Sequence, residues 1–311
     1  MNDPLASLWV EKYRPTTLED IVLSKEDREF FESLKTKKEI PHLLFAGIQG
    51  TGKTSLSKII INDILKCEYL YINASDECGI DTIRSKVIGF ARTKSFDGKI
   101  KIVLLDESDS ISFEAMKALR NTIEEFSATC RFILTCNYLH KVIAPIQSRC
   151  QIITLNPPIE ITVARVIEIL KKENISIPED QKTLLLNHIR KHLPDIRRIV
   201  NDVQKYSVNG VLNMKTDIAS EFVEKIFKKL CNKLDIVNIR KDIIKNGRLF
   251  SNDYHSLLKQ MFDVIFESDL DADRKIAALL VISKGMELDA LMIDKEINCF
   301  TTFLKLAQTI N

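Results

Sequence analysis

Apolar positions in the first half of the chain follow two alternating rhythms. Short continuous runs at Leu43–Ala46, Tyr69–Ile72, Ile102–Leu105 and Phe132–Leu134 have the length and composition of strands buried on both faces, and Gln151 to Leu155 adds a further run. Between them apolar residues recur at helical spacing. Asp27 to Lys38 reads as a helix ended ahead of Pro41. Leu56, Ile59, Ile60 and Ile64 mark another, Ile80, Ile83, Val87 and Phe90 a third, and Ser112 to Phe126 a fourth with Ala115, Leu119 and Ile123 inward. Buried strands alternating with helices predict a doubly wound α/β core around a parallel sheet.

At Asn156-Pro157-Pro158 the strand rhythm stops, and helical periods run to the end of the chain. Residues from about 159 to 217 hold three helical patterns, the last at Asp195 to Tyr206 with Ile196, Ile199, Val200 and Val203 inward. Val208 to Thr216, with Gly210, reads as a linker, and further helices follow Ser220 (Phe222, Ile226; Leu257, Met261, Ile265; Phe300, Phe303). The expected division is 1–156, 157–217 and 218–311. Residues 1–20 are polar and poorly periodic, so on chemistry alone Trp9-Val10-Glu11-Lys12-Tyr13-Arg14-Pro15 reads as an N-terminal arm.

Composition narrows the class. A chain of 311 residues, 45% hydrophobic, can bury a substantial core. No apolar run reaches the roughly 18 residues of a membrane span and no signal segment opens the sequence, so a soluble protein of a cytosol-like compartment is expected. The seven cysteines show neither C-x-x-C pairs nor neighbouring ligand histidines, which argues against zinc and for buried free thiols. With 45 basic and 43 acidic residues the net charge is +2, so any nucleic-acid site has to be a local basic patch. Arg84, Lys86, Arg92 and Lys94, on the helix after Asp76, form such a patch or else a solvated face; the sequence leaves both open.

The chemistry is concentrated after the first apolar run. Gly47-Ile48-Gln49-Gly50-Thr51-Gly52-Lys53-Thr54 fits G-x-x-x-x-G-K-[ST] at every fixed position and sits between a strand and a helix, the context of a P-loop. Its glycines let successive N–H groups face phosphate oxygens, the following helix start adds its partial positive charge, and Gly50, Thr51, Gly52, Lys53, Thr54 and Ser55 are expected to bind ATP. Lys53 is expected on the β- and γ-phosphates and Thr54 on Mg2+, so ATP or GTP is the expected ligand. Some 50 residues on, Lys101 to Glu107 ends a buried strand in two carboxylates: Asp106 is expected to help hold Mg2+ and Glu107 to orient the attacking water. Asn137, at the polar tip of the next strand, fits a sensor of the γ-phosphate or water.

Together these residues resemble the sliding-clamp loader ATPase subunits of the AAA+ superfamily, the replication factor C small subunits and above all the T-even phage branch. The resemblance rests on Val10 to Pro15, the P-loop, Asn73 to Glu77 with Gly79-Ile80-Asp81, Ser95 to Gly98, Ser148-Arg149-Cys150 and Pro194-Asp195-Ile196-Arg197. It covers about the first 215 residues by motif and the rest by length and helical character. It implies a five-stranded AAA+ domain, a three-helix lid and an all-α collar joining subunits into a pentamer: four copies of this chain and one non-ATPase subunit. It implies ATP with Mg2+ as ligand, with a ring-shaped sliding clamp and primer–template DNA as partners. Val10, Glu11, Lys12, Tyr13 and Val22 then wrap adenine and ribose, Arg149 acts in trans on a neighbour's ATP, and Arg197 senses the γ-phosphate in cis. Arg84 and Lys86 match a DNA-tracking helix, and Arg120 matches a residue coupling neighbouring subunits, although a surface ion pair explains Arg120 as well.

Two departures stand out. The strand-end acids continue Ser108-Asp109 where replication factor C usually has alanine third, and Pro194 replaces a glycine favoured in cellular members but shares its place with the phage branch. The rival readings are another AAA+ replication ATPase, such as an initiator or helicase loader, and a non-hydrolysing structural subunit. Retention of Lys53, Thr54, Asp106 and Glu107 argues against the second.

Overall fold

The computed structural model describes residues 8–311 apart from 38–39, 77–80, 82, 96–97, 215–217, 233–235 and 251, with backbone alone for 83, 84, 218–220, 236, 237 and 249. The landmarks Glu77, Gly79, Ile80, Phe96 and Asp97 therefore lie outside the described residues. Two compact units divide at 214/215.

In the first unit, β1 (Leu43–Ala46), β2 (Tyr69–Asn73), β3 (Lys101–Asp106), β4 (Cys130–Cys136) and β5 (Gln151–Thr154) form a sheet in the order β2-β3-β4-β1-β5, every neighbouring pair parallel. Register follows burial. The strands β1 and β3 are buried at every position, whereas the edge strand β5 exposes three of its four residues and β2 buries only Ile72, so Tyr69–Ile72 is not buried on both faces as its apolar run suggested but lies at the sheet's edge. Alternate residues of the central strands serve opposite faces. Leu44, Val103, Leu105 and Leu134 pack with Leu119 and Ile123 of α5 (Phe113–Glu125), while Leu43, Phe45, Leu104 and Ile133 pack with Phe31 of α2 (Lys25–Lys37) and Leu56 of α3 (Lys53–Ile59). Helix α3 continues in wider turns through Ile60–Leu65, and α4 (Ile88–Arg92) follows Ile83–Val87. Ser112 caps α5, its side chain accepting from the Ala115 amide.

After α6 (Ala144–Gln147), α7 (Ile159–Lys172), α8 (Glu179–His192) and α9 (Ile196–Tyr206) gather round their own apolar cluster of Val166, Leu170, Leu185, Ile189, Ile199 and Val203. Two sequence expectations are corrected here. Residues Trp9–Lys12 form a helical turn, α1, whose Trp9 is only 7% exposed within that cluster and whose Trp9 amide donates to Gln204 Oε1 at 2.9 Å. The segment from Val208 is not wholly linker: β6 (Ser207–Val208) and β7 (Val211–Leu212) make an antiparallel ribbon closed by Asn209 and Gly210, both at positive φ (52° and 77°). Asn-Gly suits a two-residue hairpin turn, and strands this short leave no apolar run to detect. Leu212 is buried in the same cluster.

The second unit is helical: α10 (Ile218–Cys231), α11 (Ile236–Lys245), α12 (Tyr254–Glu267), α13 (Ala272–Asp289) and α14 (Lys295–Ile310). Val223, Ile226, Leu257, Met261, Ile282, Phe303 and Leu306 form its core. The six described cysteines are free thiols, and Cys78 lies outside the described residues. Burial pushes the Cys130 thiol up to about 12.

Candidate nucleotide site

The central strands β1, β3 and β4 end side by side, because Ala46 pairs with Cys136 and Leu105 with Leu134. Loops leaving the carboxyl ends of neighbouring strands therefore meet in one place. The first is the P-loop. Gly50 and Gly52 hold φ of 81° and 93°, in the left-handed region that favours glycine, and α3 begins directly at Lys53. A Cβ at Gly50 would lie 1.8 Å from Asp195 Oδ1, the side chain that caps α9, so only a bare backbone lets the loop pass beneath that helix.

Lys53 is 8% exposed, and its Nζ donates to the carbonyls of Gly47 (2.7 Å) and Ile48 (2.8 Å) and to Asn137 Oδ1 (2.9 Å). Burial lowers its pKa, countered by the nearby Cys136, Asp106 and Asp109. Thr54 Oγ1 donates to the Asp106 carboxylate, 2.9 and 3.0 Å from its two oxygens. Asp106 is 7% exposed and also accepts from Thr135 Oγ1 (2.5 Å) and Tyr71 OH (3.2 Å). Burial first and Asp106 second push the Tyr71 phenol up to about 12. Glu107, immediately after β3, has φ 56° and an exposed side chain, and its amide donates to Thr135 Oγ1 at 3.0 Å. The left-handed turn ends the strand there, so Asp106 stays in the buried network while Glu107 lines the cavity with Lys53, Thr54 and Asn137.

This donor set fits a Mg2+-nucleotide. A hydroxyl and a carboxylate in contact offer hard oxygen ligands, and a buried ammonium held by carbonyls has a place for phosphate oxygens beside it.

Beside this polar end lies an apolar cavity lined by Val10, Glu11, Tyr13, Val22, Gly50, Thr51, Gly52 and Ser55, with Trp9, Ile196 and Val200 beyond. Arg197 lines both ends. Of the arm residues expected round the base, Lys12 alone does not line the cavity: Lys12 Nζ and Tyr13 OH both meet Glu173 Oε1, at 2.5 and 2.6 Å. The bond to Glu173 holds the Lys12 ammonium outside the cavity that its neighbours line.

Three participants carried no role in the sequence. Asp109 Oδ2 accepts from the amides of Asn137 (3.2 Å) and Tyr138 (3.1 Å) and so fixes the loop presenting Asn137. Thr135 bridges the Asp106 carboxylate and the Glu107 amide; a threonine inside an otherwise apolar strand is the signal that could have found it. Arg165 lines the apolar cavity and pairs with Asp20 (3.4 Å) and Glu168 (2.9 Å), a meeting across 145 residues that no local pattern announces.

Other expected residues stand apart from both cavities. Arg149 pairs with Glu124 through Nε (2.8 Å) and Nη2, and Nη1 donates to the Pro145 carbonyl at 2.6 Å. Arg120 is exposed and makes no ion pair with a described residue. Lys86 is exposed on the turn Ile83–Val87, and the side chain of Arg84 lies outside the described residues.

A family model, ATPase family associated with various cellular activities (AAA), matches residues 43–158. The chain is 42% identical over 209 residues to the replication factor C small subunit of Archaeoglobus fulgidus, covering 65% of each chain. To that of Methanococcus maripaludis it is 39% identical over 248 residues, 77% of this chain and 75% of the relative. To that of Sulfolobus acidocaldarius it is 42% identical over 216 residues, 67% and 65% of the two chains. Among solved structures, the Thermotoga maritima RuvB Holliday junction branch migration motor superposes with a TM-score of 0.52 at 16% identity, covering 95% of this chain and 91% of that one, a likeness of fold.

Proposed function

The chain belongs to the replication factor C small-subunit family of AAA ATPases, the ATPase subunits of clamp loaders, and on that premise we propose that it loads a ring-shaped sliding clamp onto primer–template DNA. The observation that carries the mechanism is the split in its catalytic set. Lys53, Thr54, Asp106, Glu107 and Asn137 converge on one cavity, while Arg149 is held by Glu124 and lines neither end of it. A site short of one cation is completed by a neighbour's Arg149, so hydrolysis depends on assembly.

ATP binds with its base against Val10, Tyr13 and Val22 and its phosphates along Gly50 to Ser55. Lys53 and Arg197 meet the γ-phosphate, and Thr54 and Asp106 would hold a Mg2+ ion, which would supply neutralisation of phosphate charge. Glu107 aligns the attacking water and takes its proton, and Asn137 polarises the same centre. Residues 1–156 act as the nucleotide domain, 157–217 as a lid whose angle Arg197 couples to the nucleotide, and 218–311 as a collar. Four copies with one non-ATPase subunit make a spiral that holds the clamp open in the ATP state. Arg84 and Lys86 meet DNA phosphates, Arg120 relays between neighbours, and hydrolysis lowers affinity for both clamp and DNA. Pro194, a feature of the phage branch, supports a phage-encoded subunit acting in its host's cytoplasm.

The test is steady-state ATP hydrolysis by the chain alone and with its partner subunit, clamp and primer–template, against Arg149→Ala. Stimulation by clamp and DNA together, lost in the variant despite intact ATP binding, supports the proposal. A rate indifferent to clamp and DNA would instead favour another AAA+ replication ATPase, such as an initiator.

A further inference from the structure

Away from the nucleotide, His188, His192 and Asp202 meet where α8 packs on α9. His188 and His192 stand four residues apart and share one helix face, with ring centroids 4.2 Å apart. Asp202 approaches from α9, its Oδ2 3.2 Å from His188 Nε2. One ligand atom from each residue lies within 4.8 Å of the others. Tetrahedral zinc bonds of about 2.0–2.1 Å require ligand atoms about 3.3 Å apart, within reach of small side-chain rotations.

The nitrogens are prepared for such a role. His192 Nδ1 is 2.9 Å from the His188 carbonyl, which can only accept; Nδ1 therefore carries the proton, and Nε2 of the neutral ring presents its lone pair. His188 Nε2 is buried and makes no regular hydrogen bond with a described residue, Asp202 Oδ2 lying 3.2 Å from it. Burial, then neighbouring His192, lowers the His188 pKa and favours the neutral ring that a metal binds. Arg198 Nε, 3.8 Å from Asp202 Oδ2, opposes a cation there, but its side chain is 62% exposed and has solvent to move into.

We infer that His188, His192 and Asp202 form a site for a zinc-class divalent metal, which clips α8 to α9 and so steadies the helix that carries Arg197. Two imidazoles and one carboxylate suit Zn2+, Co2+ or Ni2+ rather than Mg2+ or Ca2+. His188 and His192 are an i, i+4 helical pair of a spacing zinc sites use, and packing of α9 on α8 adds Asp202.

The test is Co2+ titration of the chelator-stripped full chain without nucleotide, followed by visible absorption and by thermal unfolding. Expected are ligand-field bands saturating at one Co2+ per chain with no thiolate charge-transfer band, and a raised Tm. His192→Ala and Asp202→Asn each weaken the binding by about tenfold or more, while Asp106→Asn leaves it unchanged. Asp202→Asn preserves shape and guards against misfolding as an explanation, checked by circular dichroism. Bands absent at millimolar Co2+, bands dominated by thiolate, or bands surviving in both lid variants would overturn the inference.

Discussion

Asp195 Oδ1 lies where a Cβ on Gly50 would be, 1.8 Å from it, so the cap of one helix rests on the bare backbone of the phosphate loop. The same carboxylate accepts from the Arg198 amide at 3.0 Å, and the Arg197 amide is 3.4 Å from the Gly50 carbonyl. Arg197 is thus tied through its backbone to the phosphate loop. Gly50→Ala is expected to push α9 away and to strain φ 81° as well, weakening ATP binding by about tenfold or more. Adding Asp195→Gly should recover part of the loss, measured with a fluorescent ATP analogue; no recovery would mean that φ alone sets the cost.

Asn137 is placed by Asp109 and bonded to Lys53. Asn137→Ala should lower turnover in the assembled complex by roughly 10²-fold while leaving ATP affinity within a few-fold, as loss of a preorganised donor does. Equal losses in affinity and turnover would assign Asn137 to ground-state binding instead.

Arg149 serves a neighbour in the proposed assembly. Chains carrying Arg149→Ala mixed with chains carrying Glu107→Gln should regain activity only at interfaces pairing an intact Glu107 site with an intact Arg149. Arg149→Ala alone should lose on the order of 10³-fold or more. Activity of Arg149→Ala chains near wild type would remove the trans role.

Trp9 is the single tryptophan and forms part of the wall of the apolar cavity. ATP is therefore expected to shift or quench its emission at nucleotide-binding concentrations, and Lys53→Ala should move the midpoint to higher ATP. Emission unmoved by saturating ATP would place the base elsewhere.

His42 precedes β1, and its Nδ1 accepts from the Phe132 amide at 3.1 Å. Burial first, then Arg131, pushes its pKa down to about 4 from 6.5. The unfolded chain thus takes up this proton before the folded one, so stability falls as pH drops from about 6.5 to about 4. Urea unfolding at steps across that window should show the slope, and His42→Gln should flatten it.

The nucleotide site was legible in sequence because its parts are local. A phosphate loop must be a short run of glycines before a helix, and Asp106 and Asn137 follow or end apolar strands, so covalent order and strand periodicity bring them to the carboxyl ends of a parallel sheet's strands. Even there the chain order hid the partners: Thr135 and Asp109 act by bonding residues 28 or 29 positions away, which only strand register sets. The Asn209-Gly210 ribbon escaped because two-residue strands carry no periodic signal. Tertiary packing alone decided the rest: that Trp9 is wall rather than arm, that Lys12 turns to Glu173, that Arg149 rests on Glu124, and that Asp202 meets His188 and His192. Each is a contact between segments far apart in sequence, where the energetics belong to pairs of side chains and no single stretch of residues encodes them.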